Sequence, residues 1–148
     1  MTYLDTSVVV SLYSPDANSA AAVEFLQTCG DALLITTLCE VEAVNAFELR
    51  VFRKQITSSQ AEVSLNDFAL DLRNRVIQLR SLPELVFERT RQLSRQWTAA
   101  LGSRTADVLH VTAALELGAS NFYSFDLQQR KMAQAVGLTL NPFPGLPS

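Results

Sequence analysis

The chain has 148 residues, 48% of them hydrophobic and 18% charged, and its formal net charge at pH 7 is −3. This length fits one domain, residues 1–148, that can bury a core without disulfides or a structural metal, and the apolar content excludes intrinsic disorder. The acidic balance argues against a protein coated in positive charge for general nucleic-acid binding.

The sequence gives no sign of a membrane segment, which would need roughly 20 apolar residues in a row. Its opening residues lack the basic and then apolar regions of a signal peptide. We therefore expect a cytoplasmic protein without membrane contact. Cys29 and Cys39 are expected to be small buried residues, because two thiols and one histidine do not supply the usual ligands of a zinc site.

Strand-like and helix-like segments alternate along the chain. In chain order they are a strand at 2–4, helices at 7–13 and 18–29, a strand at 33–36, helices at 37–54 and 57–75, a strand at 76–82, helices at 83–101 and 103–117, a strand at 121–125, a helix at 126–136 and a strand at 138–140. Thr37 is assigned as the N-cap of the helix at 37–54, and Pro83 is assigned to the first turn of the helix at 83–101. Residues 141–148 contain three prolines and are predicted to be an irregular tail.

This alternation predicts the α/β fold class. We expect a three-layer α/β/α sandwich with a central, mostly parallel sheet of four or five strands. In such sheets, ligands bind beyond the carboxyl ends of the strands, near the point where the strand order reverses. Residues that directly follow a strand are therefore the first candidates for a functional site.

Two acids occupy such positions. Asp5 follows the first strand and Asp126 follows the fourth, and either could instead serve only as the N-cap of the next helix. Thr6 and Ser124 lie beside them, and their hydroxyls are candidates for orienting the carboxylates. Hydroxyl residues are also common at turns for local reasons.

Two further acids lie on helices. Glu42 has apolar residues at helical spacing on both sides, and a carboxylate on a buried stripe is costly unless it is paired or bound to metal. A salt bridge to Arg53, or a position at the edge of the core, is the alternative for Glu42. Asp107 is near the start of a helix that is apolar all round, where the helix dipole alone would favour an acid. Arg104 is the one basic residue expected to compensate the acids.

The four acids together suit one kind of chemistry. Mg²⁺ is a hard cation that prefers carboxylate oxygens and retained waters, and it can activate a water for attack on phosphorus. Asp5, Glu42, Asp107 and Asp126 are therefore candidate ligands of one metal site. No histidine is required by this chemistry, and His110 is interpreted as a core histidine rather than a general base.

Four segments resemble the motifs of the PIN-domain family. Tyr3-Leu4-Asp5-Thr6-Ser7 resembles its opening strand and first acid, and Thr37 with Glu42 five positions later resembles its hydroxyl residue and glutamate. The segment 104–115 resembles its third acidic motif, and Ser124-Phe125-Asp126 resembles its closing hydroxyl-x-Asp motif. The resemblance runs from Thr2 to about Leu140 and is closest to small VapC-like ribonuclease toxins.

The resemblance implies a Mg²⁺- or Mn²⁺-dependent endoribonuclease that acts on RNA. It also implies a homodimer that is the toxin of a toxin–antitoxin pair and is inhibited by an antitoxin protein. Family analogy makes Asp5, Glu42, Asp107 and Asp126 the catalytic and metal-binding residues, although the fourth acid varies across the family. Glu40 competes with Glu42 for the second position, but its spacing and helix face fit less well.

Several assignments stay open. Arg104, Arg53 and Lys54 are candidates for contact with RNA phosphates, although basic residues at helix ends are usually only solvated. Trp97 and Tyr13 have faces that can stack on bases, but packing is the commoner role. A catalytically inactive PIN-like module that binds RNA or protein is the alternative function. Aspartate-nucleophile phosphatases and receiver domains fit less well, since the first needs an acid at position 7, which is Ser, and the second a well-placed lysine.

Overall fold

The fold is built on short parallel strands, seen in a computed structural model that describes residues 1–142. The elements are β1 (Thr2–Leu4), α1 (Thr6–Tyr13), α2 (Ser19–Thr28), β2 (Leu33–Thr36), α3 (Thr37–Phe52), α4 (Ser58–Arg73), β3 (Gln78–Arg80), α5 (Val86–Leu93), a π-helical turn (Ser94–Thr98), α6 (Ala99–Leu101), α7 (Thr105–Glu116), β4 (Asn121–Tyr123), α8 (Leu127–Ala135) and β5 (Thr139–Leu140). Residues 143–148 lie outside the described part, and with them most of the predicted tail.

The sheet in the described chain has five strands in the order β3-β2-β1-β4-β5, and every neighbouring pair is parallel. The chain winds outwards from β1 to β3 on one side and then returns to place β4 on the other side of β1. The strand order therefore reverses between β1 and β4, whose carboxyl ends lie next to each other. This is where a doubly wound sheet forms its ligand site.

Alternate residues of each strand enter two separate cores, because successive side chains point to opposite faces of a sheet. Tyr3 and Phe122 pack with α5, α7 and α8 on one face. Leu4 and Tyr123 pack with α1, α2, α3 and α4 on the other. The predicted three-layer α/β/α sandwich with a parallel sheet is confirmed.

Two strands are shorter than the sequence suggested. β3 covers three residues instead of 76–82, because it pairs only with β2, whose register limits pairing to residues 78–80. β4 ends at Tyr123 instead of 125, since its partner β1 ends at Leu4, opposite Tyr123. The chain beyond each strand has no neighbouring strand with which to form further ladder hydrogen bonds.

Two helix boundaries also differ from prediction. Thr36, not Thr37, is the N-cap of α3, and its hydroxyl makes no cap hydrogen bond because it contacts the Tyr3 hydroxyl at 3.1 Å. Pro83 precedes α5 in a turn, where its carbonyl accepts a hydrogen bond from Val86. The helix predicted for 83–101 is interrupted by the π-helical turn and ends at Gly102, which has φ of +71°.

Both cysteines are free; Cys39 is buried as expected, whereas Cys29 is only half-buried because it follows α2 at the edge of the core. Burial raises the pKa of the Cys39 thiol well above its ordinary value, so that side chain behaves as a small apolar residue. Within residues 1–142, every helix is too short or too polar to cross a bilayer.

Candidate active site

A cavity of about 400 Å³ opens at the carboxyl edge of the sheet, where β1 and β4 end. The four candidate acids all line it, together with Thr6 and Arg104. The complete lining is Asp5, Thr6, Ser7, Glu42, Asn45, Arg104, Ala106, Asp107, Asp126 and Gln129. A cavity of about 560 Å³ between α1 and α4 is larger, but Asp67 is the one acid among its lining residues.

Asp5 is held at the floor of this cavity. Its Oδ1 accepts hydrogen bonds from the Ser7 hydroxyl at 2.7 Å and the Val8 backbone N–H at 3.2 Å, and its Oδ2 accepts one from Ser124 at 2.9 Å. Burial raises the pKa of the Asp5 carboxyl, while His110 and the hydroxyls of Ser7 and Ser124 oppose the shift. Asp5 is therefore both the N-cap of α1 and a buried acid of the cavity.

Ser124 connects the two strand-end acids. Its hydroxyl donates to Asp5 and also accepts the Asp126 backbone N–H at 2.9 Å. Asp126 caps α8 through Oδ1, which accepts from the backbone N–H groups of Gln128 and Gln129. One hydroxyl, that of Ser124, therefore holds the Asp5 carboxylate and the backbone of Asp126.

Glu42 enters the cavity from α3 and is anchored through one oxygen. Its Oε2 lies 2.6 Å from Nε2 of His110 and also accepts a hydrogen bond from the Thr6 hydroxyl. Burial raises the pKa of Glu42, but the hydrogen bonds from His110 and Thr6 outweigh it and leave the pKa below its ordinary value. The partner of Glu42 is thus His110 and not Arg53, and it is Glu42 rather than Glu40 that lines the cavity.

Arg104 lies between the two remaining acids. Asp107 Oδ2 accepts the Arg104 backbone N–H at 2.8 Å and lies 3.5 Å from its Nε, while Nη2 is 3.8 Å from Asp126 Oδ2. The Arg104 side chain is 77% exposed. It lies beside two acids, as the sequence suggested, while the hydrogen bond from His110 to a third acid, Glu42, was not foreseen.

The starts of α1, α7 and α8 all face this cavity. Asp5, Asp107 and Asp126 each accept backbone N–H groups at one of these helix starts. The positive ends of the helix dipoles therefore stabilise the carboxylates. The capping role considered for Asp5 and Asp126, and the dipole stabilisation considered for Asp107, coexist with a place in the cavity.

The donor chemistry fits a hard divalent cation, because four carboxylates line one cavity. Among residues 1–142, however, no three His, Cys, Asp or Glu side chains come together in a group that would hold a metal ion. Glu42 is turned towards His110, and Asp107 and Asp126 both face Arg104. The four acids thus have the side-chain type and the location that a divalent metal site needs. Each of them also has a hydrogen-bond or ion-pair partner within the protein.

The other predicted contacts lie apart from the cavity. Lys54 and Arg53 follow the carboxyl end of α3, roughly 16 Å along the helix axis from Glu42 at 1.5 Å per residue. The Tyr13 hydroxyl donates to Asp71 at 2.7 Å, and Trp97 packs against the core beside α7. Among the predicted phosphate contacts, Arg104 is the one that lines the cavity.

Sequence reasoning did not single out Ser7 and did not recognise the contacts of His110 and Tyr3. Ser7 also accepts the Phe125 backbone N–H at 3.0 Å, which ties α1 to the chain after β4. His110 was correctly expected to be buried, but its partners are 68 and 107 positions away in the sequence. No local pattern reports contacts of that range.

Comparison with known proteins identifies the family. The profile of the PIN domain matches residues 2–135, so the chain belongs to the PIN domain family, as its motifs suggested. No curated protein matches the sequence. Among solved structures, VapC20 of Mycobacterium tuberculosis, described as a sarcin–ricin loop cleaving toxin, is 15% identical with a TM-score of 0.69, over 94% of this chain and 97% of that one.

A second similar structure is FitAcB from Neisseria gonorrhoeae. It is 16% identical, with a TM-score of 0.66, and the match covers 95% of this chain and 96% of that one. At these identities the two structures establish the shared fold, and what they act on remains a property of those proteins.

Asp5 and Asp16 have pKa values shifted in opposite directions, which allows a test by protein stability. The pKa of Asp5 is raised in the folded protein, so ionisation of this carboxyl is less favourable there than in the unfolded chain. The protein therefore loses stability as the pH rises through the folded-state pKa. Asp5→Asn should therefore stabilise the fold at neutral pH, by about 1 kcal/mol. The gain should fade at pH values below the ordinary aspartate pKa, where both proteins are neutral at this position. Urea unfolding over a pH series measures it.

Asp16→Asn is the matched control with the opposite sign. Burial raises the pKa of Asp16, but hydrogen bonds from Arg50, Asn18 and Ser11 outweigh it and lower the pKa. This substitution should destabilise the protein at neutral pH, and the loss should disappear on acidification. An Asp5→Asn protein that is less stable than wild type at neutral pH would show that capping outweighs the buried charge.

Proposed function

We propose that the protein is a divalent-metal-dependent endoribonuclease that hydrolyses phosphodiester bonds of RNA. The observation that carries the proposal is the convergence of Asp5, Glu42, Asp107 and Asp126 on one cavity at the point where the strand order reverses. Membership of the PIN domain family, a family of nucleases, supports it. The chain shares its fold with a toxin described as cleaving the sarcin–ricin loop, which supports RNA as the substrate class.

The four carboxylates would hold Mg²⁺ or Mn²⁺. When bound, such an ion supplies activation of a water for attack on phosphorus and stabilisation of the charge on the departing oxygen. Asp5 contributes a carboxylate whose position is fixed by three hydrogen bonds. Thr6 and Ser124 hold Glu42 and Asp5 in place and thereby limit the rotamers that these two acids can adopt.

Arg104 is the residue of this cavity that suits an RNA phosphate. Its guanidinium is largely exposed and lies at 3.5–3.8 Å from two carboxylates, which are long ion pairs that exchange readily with solvent. A phosphate offers a bidentate partner of better geometry. The Arg104 side chain would then leave Asp107 and Asp126 and contact the substrate, while the Arg104 backbone N–H keeps its hydrogen bond to Asp107.

A catalytically inactive PIN-like binding module is the second candidate. One observation favours it, namely that no three acids of the described chain form a metal-binding group. The two functions differ in one measurement, because a binding module would retain RNA without cleaving it. Metal-dependent cleavage by the purified protein therefore separates them.

The cleavage test uses two glutamates on the same helix. Wild type should cleave RNA with Mg²⁺ or Mn²⁺ and stop when EDTA is added. Glu42→Gln should lower the rate by about 100-fold or more, because a metal ligand is lost. Glu48→Gln removes an exposed glutamate six residues further along α3 and should leave the rate unchanged. Cleavage that persists in EDTA, or equal rates in both variants, would contradict the proposal.

The biological role proposed is that of the toxin in a toxin–antitoxin pair. This follows from the fold shared with a VapC toxin. Induced expression in a bacterial host should arrest growth, and Glu42→Gln should abolish the arrest. Co-expression of a short reading frame adjacent to the gene should restore growth to the wild-type strain. Normal growth under strong induction of wild type would argue for an RNA-processing role instead.

A homodimer in the cytoplasm is the assembly and location that we propose. Exposed apolar side chains support a partner surface, since Val41 and Phe52 on α3 are 67% and 83% exposed. Light scattering at micromolar concentration should give twice the mass of one chain. A strict monomer at that concentration would count against the dimer without affecting the nuclease proposal.

A further inference from the structure

His110 is the single histidine of the chain and lies directly behind the cavity. It is 1% exposed, yet both ring nitrogens have polar partners. Its Nε2 is 2.6 Å from Glu42 Oε2, and its Nδ1 is 2.9 Å from the Tyr3 hydroxyl. The Tyr3 hydroxyl is in turn 3.1 Å from the Thr36 hydroxyl. These four residues form a buried hydrogen-bond chain that reaches Glu42 from the core.

The direction of this hydrogen-bond chain follows from what each group can donate. An ionised Glu42 only accepts, so Nε2 of His110 must carry the proton that lies between them. In a neutral ring Nδ1 is then an acceptor, and the Tyr3 hydroxyl must donate to it. The oxygen of Tyr3 remains free to accept from Thr36. Every polar group is thus satisfied in one arrangement, which holds a single histidine tautomer.

The consequence for Glu42 is a difference between its two oxygens. Oε2 accepts from both His110 and Thr6 and is thereby fixed. Within the described residues no hydrogen bond reaches Oε1, and the Glu42 side chain is 31% exposed towards the cavity. The core therefore holds one oxygen and leaves the other for a ligand.

We propose that His110, oriented by Tyr3 and Thr36, is a positioning residue that fixes Glu42 Oε2 and presents Oε1 to the divalent metal. This inference rests on the proposed function and deepens it. Groups that hydrogen-bond to metal ligands typically affect metal affinity about 10–100-fold when removed. The competing explanation is that the hydrogen-bond chain only satisfies a buried histidine, in which case metal affinity does not depend on it.

The first measurement needs neither metal nor RNA. Protein labelled with ¹⁵N-histidine gives signals from one ring, and long-range proton–nitrogen NMR at mildly alkaline pH reports which nitrogen is protonated. The expected result is the Nε2–H tautomer in wild type, with a changed tautomer population in Tyr3→Phe. Tyr123→Phe is the matched control, because this buried tyrosine lies on β4 in the opposite core. An Nδ1–H ring in wild type would overturn the proposal.

The second measurement is Mn²⁺ affinity by electron paramagnetic resonance, without RNA. Tyr3→Phe should weaken Mn²⁺ binding about 10-fold, and Tyr123→Phe should leave it unchanged. In a Glu42→Gln background, Tyr3→Phe should have no further effect, since the two residues then act through the same ligand. Additive effects in this cycle would overturn the positioning role.

Two variants of His110 test the same proposal in case Tyr3→Phe does not fold. His110→Gln can still donate an amide N–H to Glu42, whereas His110→Leu cannot. Thermal melts establish that both are folded, and His110→Gln should retain most of the Mn²⁺ affinity while His110→Leu loses it. Equal losses in both would show that ring packing matters instead of the N–H group, which overturns the proposal.

The outcomes separate this inference from the proposed function. Wild type that binds Mn²⁺ and cleaves RNA, with Tyr3→Phe, His110→Gln and His110→Leu all binding as tightly, would refute the positioning role alone. Wild type that neither binds Mn²⁺ nor cleaves would refute both, because His110 would then orient no metal ligand.

Discussion

The structure depends on the burial of one carboxylate, that of Asp5 at the end of the central strand. It is 1% exposed, and a buried carboxylate is stable only when donors replace the water that it has lost. Those donors come from Ser7 at the start of α1 and from Ser124 after β4. Ser7 also accepts the backbone N–H of Phe125. The hydrogen bonds to Asp5 therefore join the chain after β1 to the chain after β4. Asp126 lies in the second of these segments and so comes close to Asp5.

The remaining acids are held by two partners within the protein. Two carboxylates about 5 Å apart repel by roughly 3 kcal/mol at an effective dielectric constant of 20, before solvent relieves part of it. In this protein Glu42 is paired with His110, while Asp107 and Asp126 share Arg104. Within the described residues, the acids are thus held by partners of the protein itself and do not come together in threes.

The sequence carried the information on the strands and acids because that information is local. β1 and β2 lie where the sequence predicted them, because each contains a short apolar run, and Asp5 directly follows β1. The predicted lengths of β3 and β4 were wrong. A strand ends where its hydrogen-bonded neighbour ends, and not where its own apolar residues end. The π-helical turn left no sequence signal. The partners of His110 required the fold, since they join α7 to β1 and α3 across 68 to 107 positions.

The two partners of the acids, His110 and Arg104, differ in burial. His110 holds its acid from the core, whereas Arg104 contacts its acids from the solvent side. His110 is 1% exposed and bonded at both nitrogens, so moving Glu42 away would break a short hydrogen bond at the edge of the core. The Arg104 side chain is 77% exposed and makes long contacts with two acids, so its departure costs little. A site that must admit a cation and a phosphate needs this asymmetry. Ligands that are held from the core keep their geometry, and a solvent-facing arginine can exchange carboxylate for phosphate without disturbing them.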